Sequence, residues 1–412
     1  MSIELRPLGV GCNIKCHYCY QNPERSFGVR SRKYDMAVMK SAIVAEKSSF
    51  ILFGGEALLV PETDLEDLWA WGWEKFKSNG LQTNGVLINE NHIRMFKEYH
   101  VKVGISIDGP GELNDVRWAG SLEATRKATA KTEAAIRRLC AENIPPSLII
   151  TLHRANATPE RLPKLADWLK DLDQLGVRSV RLHILEVDDP IVREKYTLSN
   201  EQNIEAFLFF AEFETQLKRI RFDVFQDIRN LLVGRDKKAS CVWRACDPYT
   251  TAAVRGVEGN GQRSNCGRTN KEGVGFVKSD TPGYERYISL YYTSQDDGGC
   301  RGCRYFLMCK GQCPGTAMDG DWRNRTEHCS VWKTLFAHFE KEIRNAGKER
   351  ILSEEERAVL ESEFIKAWSA GNNPLIEHLL PSLRKPPSSN YTAIPQDFIK
   401  MCWNSLLSPV TR

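Results

Sequence analysis

The sequence predicts an α/β protein. Short apolar or β-branched runs recur at Ser49–Phe53, Leu81–Thr83, Lys102–Ser106, Ser147–Leu152 and Ser179–Ile184. Longer helix-like stretches separate them, at Asp64–Ser78, Asn91–Tyr99, Leu122–Glu142 and Pro159–Leu172. Such alternation implies parallel strands covered by helices, because a parallel pair needs a long crossover. The segment before Cys12 supplies a first strand and brings the total to six. With 412 residues, 42% of them hydrophobic and 9% aromatic, the chain is long enough for two domains with proper cores.

The C-terminal part is helical. Val331–Gly347 and Ser353–Ala370 read as amphipathic helices, and Ser353-Glu-Glu-Glu supplies a capping signal for the second. The Pro-Pro-Ser-Ser run within Leu383–Pro395 marks an irregular connection. A helical extension covering the preceding domain is the simpler reading of this region, and a docking surface for a precursor or partner is the sharper one.

Charge points to no polyanionic partner. Fifty-seven basic residues face 53 acidic ones, a net charge of +4, which gives no electrostatic argument for nucleic acid or a membrane surface. No apolar run is long enough to span a bilayer. Thirteen cysteines in a chain of this size suit metal ligation in a reducing cytoplasm better than a disulfide scaffold.

Those cysteines fall into two groups. The first is Cys12-Asn-Ile-Lys-Cys16-His-Tyr-Cys19, directly after the first strand. Four thiolates would close a zinc site or fully ligate a cubane cluster. Three leave one iron of a [4Fe-4S] cluster open, where a small molecule can be bound and reduced. A zinc site with a distant fourth ligand is the competing chemistry, since thiolates serve either metal. The second group runs Cys246, Cys266, Cys300-x2-Cys303-x5-Cys309-x3-Cys313 and Cys329, with Gly261 five residues before Cys266. A zinc ribbon would use Cys300, Cys303, Cys309 and Cys313 and leave the others unexplained. Cys140, Cys241 and Cys402 remain; Cys140 and Cys402 are assigned to inert packing.

The C-x3-C-x2-C spacing with Tyr18 before its last cysteine resembles the signature of the radical SAM superfamily, and the second group resembles the seven-cysteine SPASM domain. The resemblance implies a partial (βα)6 TIM barrel over residues 1–235, a SPASM domain over 236–345 and a helical extension over 346–412. It implies three [4Fe-4S] clusters and S-adenosylmethionine. The first cluster takes Cys12, Cys16 and Cys19. The distal auxiliary cluster takes Cys300, Cys303, Cys309 and Cys329, and the nearer one Cys246, Cys266 and Cys313. Cys241 is the candidate fourth ligand of the nearer cluster: if it ligates, that cluster is an electron conduit, and if it does not, an open iron can hold a substrate thiolate or amide.

Strand ends carry the remaining matches. Gly54-Gly55-Glu56 matches the family's GGE motif, in which Glu56 and nearby backbone hold the methionine ammonium. Thr83-Asn84 ends the next strand, and Ser106-Ile-Asp108-Gly resembles a segment whose serine and aspartate contact ribose or methionine. Thr151, Leu182 and Leu185 stand where relatives contact adenine. Turn chemistry alone explains Asn-Gly and Asp-Gly-Pro, so order and spacing carry these assignments. No catalytic acid or base is assigned.

The implied enzyme cleaves S-adenosylmethionine reductively and abstracts hydrogen from an unactivated carbon of a ribosomally made precursor peptide, leading to a crosslink, an epimer or a splice. The Cys12 neighbourhood most resembles maturases of cyanobacterial-type precursors, among them spliceases that excise a tyramine unit and leave a β-amino-acid ketone. Sulfatase-maturase-like oxidation of a Cys or Ser in a protein is the alternative. In those enzymes an aspartate base follows the second SPASM cysteine; here Gly267 follows Cys266, although Asp247 follows Cys246. With eleven residues before Cys12, a separate leader-recognition partner protein or the C-terminal segment is expected. An external one-electron reductant of flavodoxin or ferredoxin type is expected as well.

Overall fold

A computed structural model describes residues 3–26, 33–247, 249–250, 254–269, 279 and 281–384. Nine strands form one sheet: β1 (Ile3–Arg6), β2 (Phe50–Leu52), β3 (Asn79–Thr83), β4 (Val101–Ser106), β5 (Ser147–Leu152), β6 (Ser179–Ile184), β7 (Arg221–Phe222), β8 (Gly256–Glu258) and β9 (Arg263–Ser264). Their order is β7-β6-β5-β4-β3-β2-β1-β8-β9, and every neighbouring pair is parallel except β8 with β9. The first six are the strands expected from sequence, in sequential order. Helices α1 (Asn22–Ser26), α2 (Met36–Ala45), α3 (Glu62–Phe76), α4 (Glu90–Glu98), α5 (Leu122–Ala141) and α6 (Leu162–Leu175) make the crossovers. Crossover helices cover the sheet, and the apolar residues of these strands are buried beneath them. Ile3, Leu5, Leu52, Ile105, Ile150 and Val180 are all sealed from solvent.

Helix ends follow cap chemistry. Asn89 and His92 form a reciprocal capping box at the start of α4, and the Ser121 side chain accepts from the Ala124 N–H at the start of α5. Helix α6 lies three residues later at each end than expected: Pro163 suits its first turn, and Gly176, at φ 112°, closes it.

The chain then adds α7 (Pro190–Tyr196), α8 (Asn200–Glu214) and α9 (Asp223–Leu232) beside β6 and β7, elements that sequence reading left unassigned. After a 3-10 turn at Cys241–Trp243, the β8–β9 hairpin returns to the sheet, and Glu4, Leu5 and Arg6 pair with Gly256, Val257 and Glu258. Arg6 fixes this junction: its buried guanidinium donates to Glu258 Oε1 at 3.0 Å and Glu4 Oε2 at 3.0 Å. Burial disfavours that charge, but the two carboxylates outweigh it and the Arg6 pKa rises above its ordinary value.

The cysteine-rich part carries α10 (Glu285–Tyr292), α11 (Phe306–Cys309) and α12 (Cys329–Ala346), followed by α13 (Glu354–Ser369) and α14 (Ile376–Leu383). Helix α12 packs on α8 and α9 through aromatic pairs, Phe207–Trp332 at 5.7 Å and Phe225–Phe339 at 5.2 Å between centroids. Each fully buried phenylalanine contributes about 1.5–3 kcal/mol. Ser353 caps α13 in a capping box with Glu356, as expected. Trp368 of α13 packs on Tyr287 at 5.4 Å, so the extension covers the cysteine-rich part. Leu383 is the last residue of α14; residues 385–395 and Cys402 lie outside the described residues. Among the described residues, no helix is long and apolar enough to cross a membrane.

Candidate active site

The cysteine loop leaves β1 and folds back over the sheet end. The turn after β2 is zipped onto it: Gly55 N–H donates to Gly9 O at 2.9 Å, and Glu56 N–H to Gly11 O at 2.9 Å. A Cβ on Gly55 would lie 2.2 Å from Gly11 O, and one on Gly54, at φ 122°, 2.6 Å from Gly9 O. The two glycines are therefore required by close backbone approach. Loop and turn wall a cavity of about 190 Å³.

Cys12, Cys16 and Cys19 line that cavity with Tyr18, Gly54 and Gly55. Thr83, Asn84, Ser106, Thr151 and Leu185 line it from successive strand ends. Burial, countered by Arg117 and reinforced by Cys19 and Cys12, pushes the Cys16 thiol up to about 12. Arg25 Nη2 donates to Cys19 Sγ at 3.1 Å, and Asn84 Nδ2 to Asn13 Oδ1 at 2.7 Å. Burial disfavours the thiolates of Cys12 and Cys16, and a metal group would take up their charge. This donor set on an open cavity fits a cluster with one free corner.

Three expected contacts stand elsewhere. The Glu56 carboxylate lies behind the wall, accepting from Thr83 Oγ1 at 2.7 Å, Asn84 N–H at 2.8 Å and Leu58 N–H at 3.0 Å. Burial nevertheless raises its pKa. Asp108 is also buried behind the wall. Its Oδ2 accepts from Tyr18 Oη and lies 3.3 Å from His153 Nε2, and its Oδ1 accepts from Thr151 N–H at 3.0 Å. Burial opposes ionisation of Asp108, yet His153 and Arg117 hold its pKa below the ordinary value. Leu182 faces a second cavity.

Sequence reasoning missed Tyr20, next to Cys19, and Arg117, His183, Glu186 and Arg268, which line the first cavity from segments distant in sequence. Arg117 Nη1 donates to Tyr18 Oη at 3.0 Å. Arg268 Nη1 donates to Glu186 Oε1 at 2.8 Å, and its Nη2 lies 3.2 Å from His183 Nδ1. Burial, with Arg268 and Arg181 nearby, holds His183 well below its ordinary pKa and therefore neutral. A Cβ on Gly267 would meet the Tyr20 ring at 2.7 Å. The one legible signal was a cationic residue directly after Cys266-Gly267.

The later cysteines separate into two sets. Cys300, Cys303, Cys309 and Cys329 line one small cavity of about 20 Å³ with Tyr305, Trp332 and Phe336. Burial, together with Cys303 and Cys329, pushes Cys300 up to about 12. Cys241, Cys266 and Cys313 lie together by Arg268: burial raises the Cys266 thiol most, and Cys241 and Cys313 raise it further. Cys246 is buried on the side of Tyr287. Among the described residues, no three His, Cys, Asp or Glu side chains are grouped as the donors of a single metal ion. Cys140 is buried in the core under α5.

Residues 7–169 match the Radical SAM superfamily. The chain thus carries a radical SAM domain, with the site for a [4Fe-4S] cluster and S-adenosylmethionine that such a domain implies, and it is an enzyme. It is 23% identical over 374 residues to the cysteine-type anaerobic sulfatase-maturating enzyme of Clostridium novyi, covering 83% of this chain and 95% of that one. It is 28% identical over 214 residues to the serine-type enzyme of Klebsiella aerogenes, covering 48% and 50%. Among solved structures, anSMEcpe with bound AdoMet superposes with TM-score 0.65 at 19% identity, over 84% of this chain and 98% of that one. Streptococcus suis SuiB bound to precursor peptide SuiA superposes with TM-score 0.50 at 14% identity, over 80% and 75%. These likenesses establish the radical SAM α/β fold with its parallel sheet.

Proposed function

We propose that this enzyme modifies a ribosomally made peptide by abstracting hydrogen from one of its carbons, with residues 1–235 as the barrel, 236–345 as a SPASM domain and 346–412 as a covering extension. The observation that carries this reading is the continuity of the 190 Å³ cavity from Cys12, Cys16 and Cys19 to Arg268, beside Cys266 and Cys313. A [4Fe-4S] cluster and S-adenosylmethionine bound there supply a 5′-deoxyadenosyl radical. The chain's own groups bind and orient. Since Glu56 does not line the cavity, methionine recognition is assigned to the Gly54–Gly55 backbone, Ser106 and the Arg117 guanidinium, with Glu56 holding Thr83 and Asn84 in place behind them. Thr151 and Leu185 bound the adenine end. Cys241 joins Cys246, Cys266 and Cys313 around the nearer auxiliary cluster, and Cys300, Cys303, Cys309 and Cys329 hold the distal one.

A peptide substrate is supported by relatives named for sulfatase maturation and by solved relatives bound to peptides. Oxidation of a Cys or Ser side chain is the second reading, favoured by the 83% coverage against the Clostridium novyi enzyme. Against it, Gly267 abuts Tyr20 too closely for an acidic side chain to enter without displacing that ring. The finer reading is a splice excising a tyramine unit, with a separate leader-recognition protein and a flavodoxin- or ferredoxin-type reductant.

Anaerobic reconstitution tests this. Roughly twelve irons per chain are expected for three cubanes, together with 5′-deoxyadenosine on adding dithionite and S-adenosylmethionine. A fully loaded protein that makes none refutes the radical reading, and four irons per chain refute the auxiliary assignments. A sulfatase-derived cysteine peptide converted to formylglycine would select the second reading.

A further inference from the structure

Two cavities meet at one wall. His183, Ile184, Glu186 and Arg268 line both the 190 Å³ cavity at the cysteine loop and the second one, which reaches Asp227, Ser240 and His328. In this wall the Glu186 carboxylate is held at one oxygen only. Oε1 accepts from Arg268 at 2.8 Å; Oε2 is sealed from solvent and has no hydrogen-bond partner. A buried acceptor without a donor is costly, so its native state is expected to include one. The neighbouring side chains do not supply it, since Arg268 turns its other nitrogen to His183, which stands neutral.

We propose that Glu186 Oε2 is the substrate-anchoring acceptor of this enzyme, taking a hydrogen bond from a side-chain N–H or O–H of the peptide residue seated against the wall. This rests on the peptide-modifying reading above. Arg268 is a positioning residue: it fixes the carboxylate so that its second oxygen is presented, and as a buried charge-assisted pair it tolerates little rotation. An acceptor built in this way discriminates strongly, because a peptide lacking the donor leaves the carboxylate oxygen unpaired.

A random peptide library tests this without the natural substrate in hand. Reconstituted holoenzyme with S-adenosylmethionine is panned against mRNA-displayed random 18-residue peptides. Wild type is expected to enrich peptides sharing one donor-bearing residue (Asn, Gln, Ser, Thr, Tyr or Trp) at a fixed position. Replacing that residue in the selected peptide by its donor-free counterpart, such as Tyr by Phe, should weaken binding at least tenfold. With Glu186→Ala the same replacement should cost less than twofold, the signature of a coupled pair. Equal affinity of wild type for both peptides overturns the proposal and needs no variant to fold. An undiminished preference in an iron-loaded Glu186→Ala enzyme also overturns it. If wild type enriches no peptide at all, this chain does not itself anchor the peptide and the proposal falls, while the reading in which a partner protein delivers the peptide stands.

Discussion

The loop of Cys12, Cys16 and Cys19 and the set of Cys300, Cys303, Cys309 and Cys329 use the same ligand chemistry in opposite surroundings. The first stands at strand ends, held by backbone bonds to the β2 turn, over about 190 Å³ lined by polar and apolar groups together. The second is enclosed by Tyr305, Phe306, Trp332 and Phe336 around about 20 Å³. The difference teaches that cysteine count does not by itself set the role of such a site. Room beside the thiols does: the first can admit a second ligand, and the second has space for nothing further.

The largest effect should come from Cys16→Ala, which removes a ligand at the open site and should abolish 5′-deoxyadenosine formation, a loss above about 10³-fold. Cys309→Ala should lower the iron count by about four and leave that cleavage measurable. Equal loss in both variants, read by chromatography of 5′-deoxyadenosine, would break the distinction.

Gly55→Ala comes next. Its methyl group would meet Gly11 O at 2.2 Å and displace the cysteine loop. Thermal melts should show a loss of about 1–3 kcal/mol, with S-adenosylmethionine binding weakened at least tenfold. Gly347→Ala, where a Cβ meets nothing within 4 Å, is the control for glycine substitution as such, although its φ of 61° adds strain of its own.

Proton linkage sharpens the comparison further. Cys16 and Cys300 are both pushed up to about 12 by burial, against an ordinary cysteine value near 8.5. The folded apoprotein keeps protons that the unfolded chain releases, so its stability should fall as pH rises from about 9 to about 12. Each such thiol contributes at most about 1.4 kcal/mol per pH unit. Cys16→Ala and Cys300→Ala should each flatten the decline in urea titrations of apoprotein. The smallest effect belongs to Ser353→Ala, which removes the α13 cap at a cost of about 1 kcal/mol and should leave iron content unchanged.

The strands β1–β6 were legible because each is a compact apolar run between helical repeats. Strand β8 was not: Gly256-Val-Glu offers a single apolar residue, and its place beside β1 is set by Arg6 and Glu258, far apart in sequence. The cysteine spacing located both thiolate regions, yet it left open which cysteines meet, and the structure sets Cys241 with Cys266 and Cys313. Arg117, the His183–Glu186 stretch and Arg268 reach the cavity from three separate segments. No local periodicity marks a convergence of that kind.

The pairing of β1 with β8 also bears on biosynthesis. Arg6 waits for Glu258, 252 residues away. At 5–20 residues per second, the strand that carries the radical-site cysteines spends about 12–50 s on the ribosome with an unpaired edge. Exposed edges invite mispairing, and long-range pairing is slow to form. The cysteine loop therefore acquires its final support only after β8 has been made, so iron delivered earlier would meet thiols not yet held in place. Maturation of the radical site is in this sense a late event, timed by the far half of the same polypeptide.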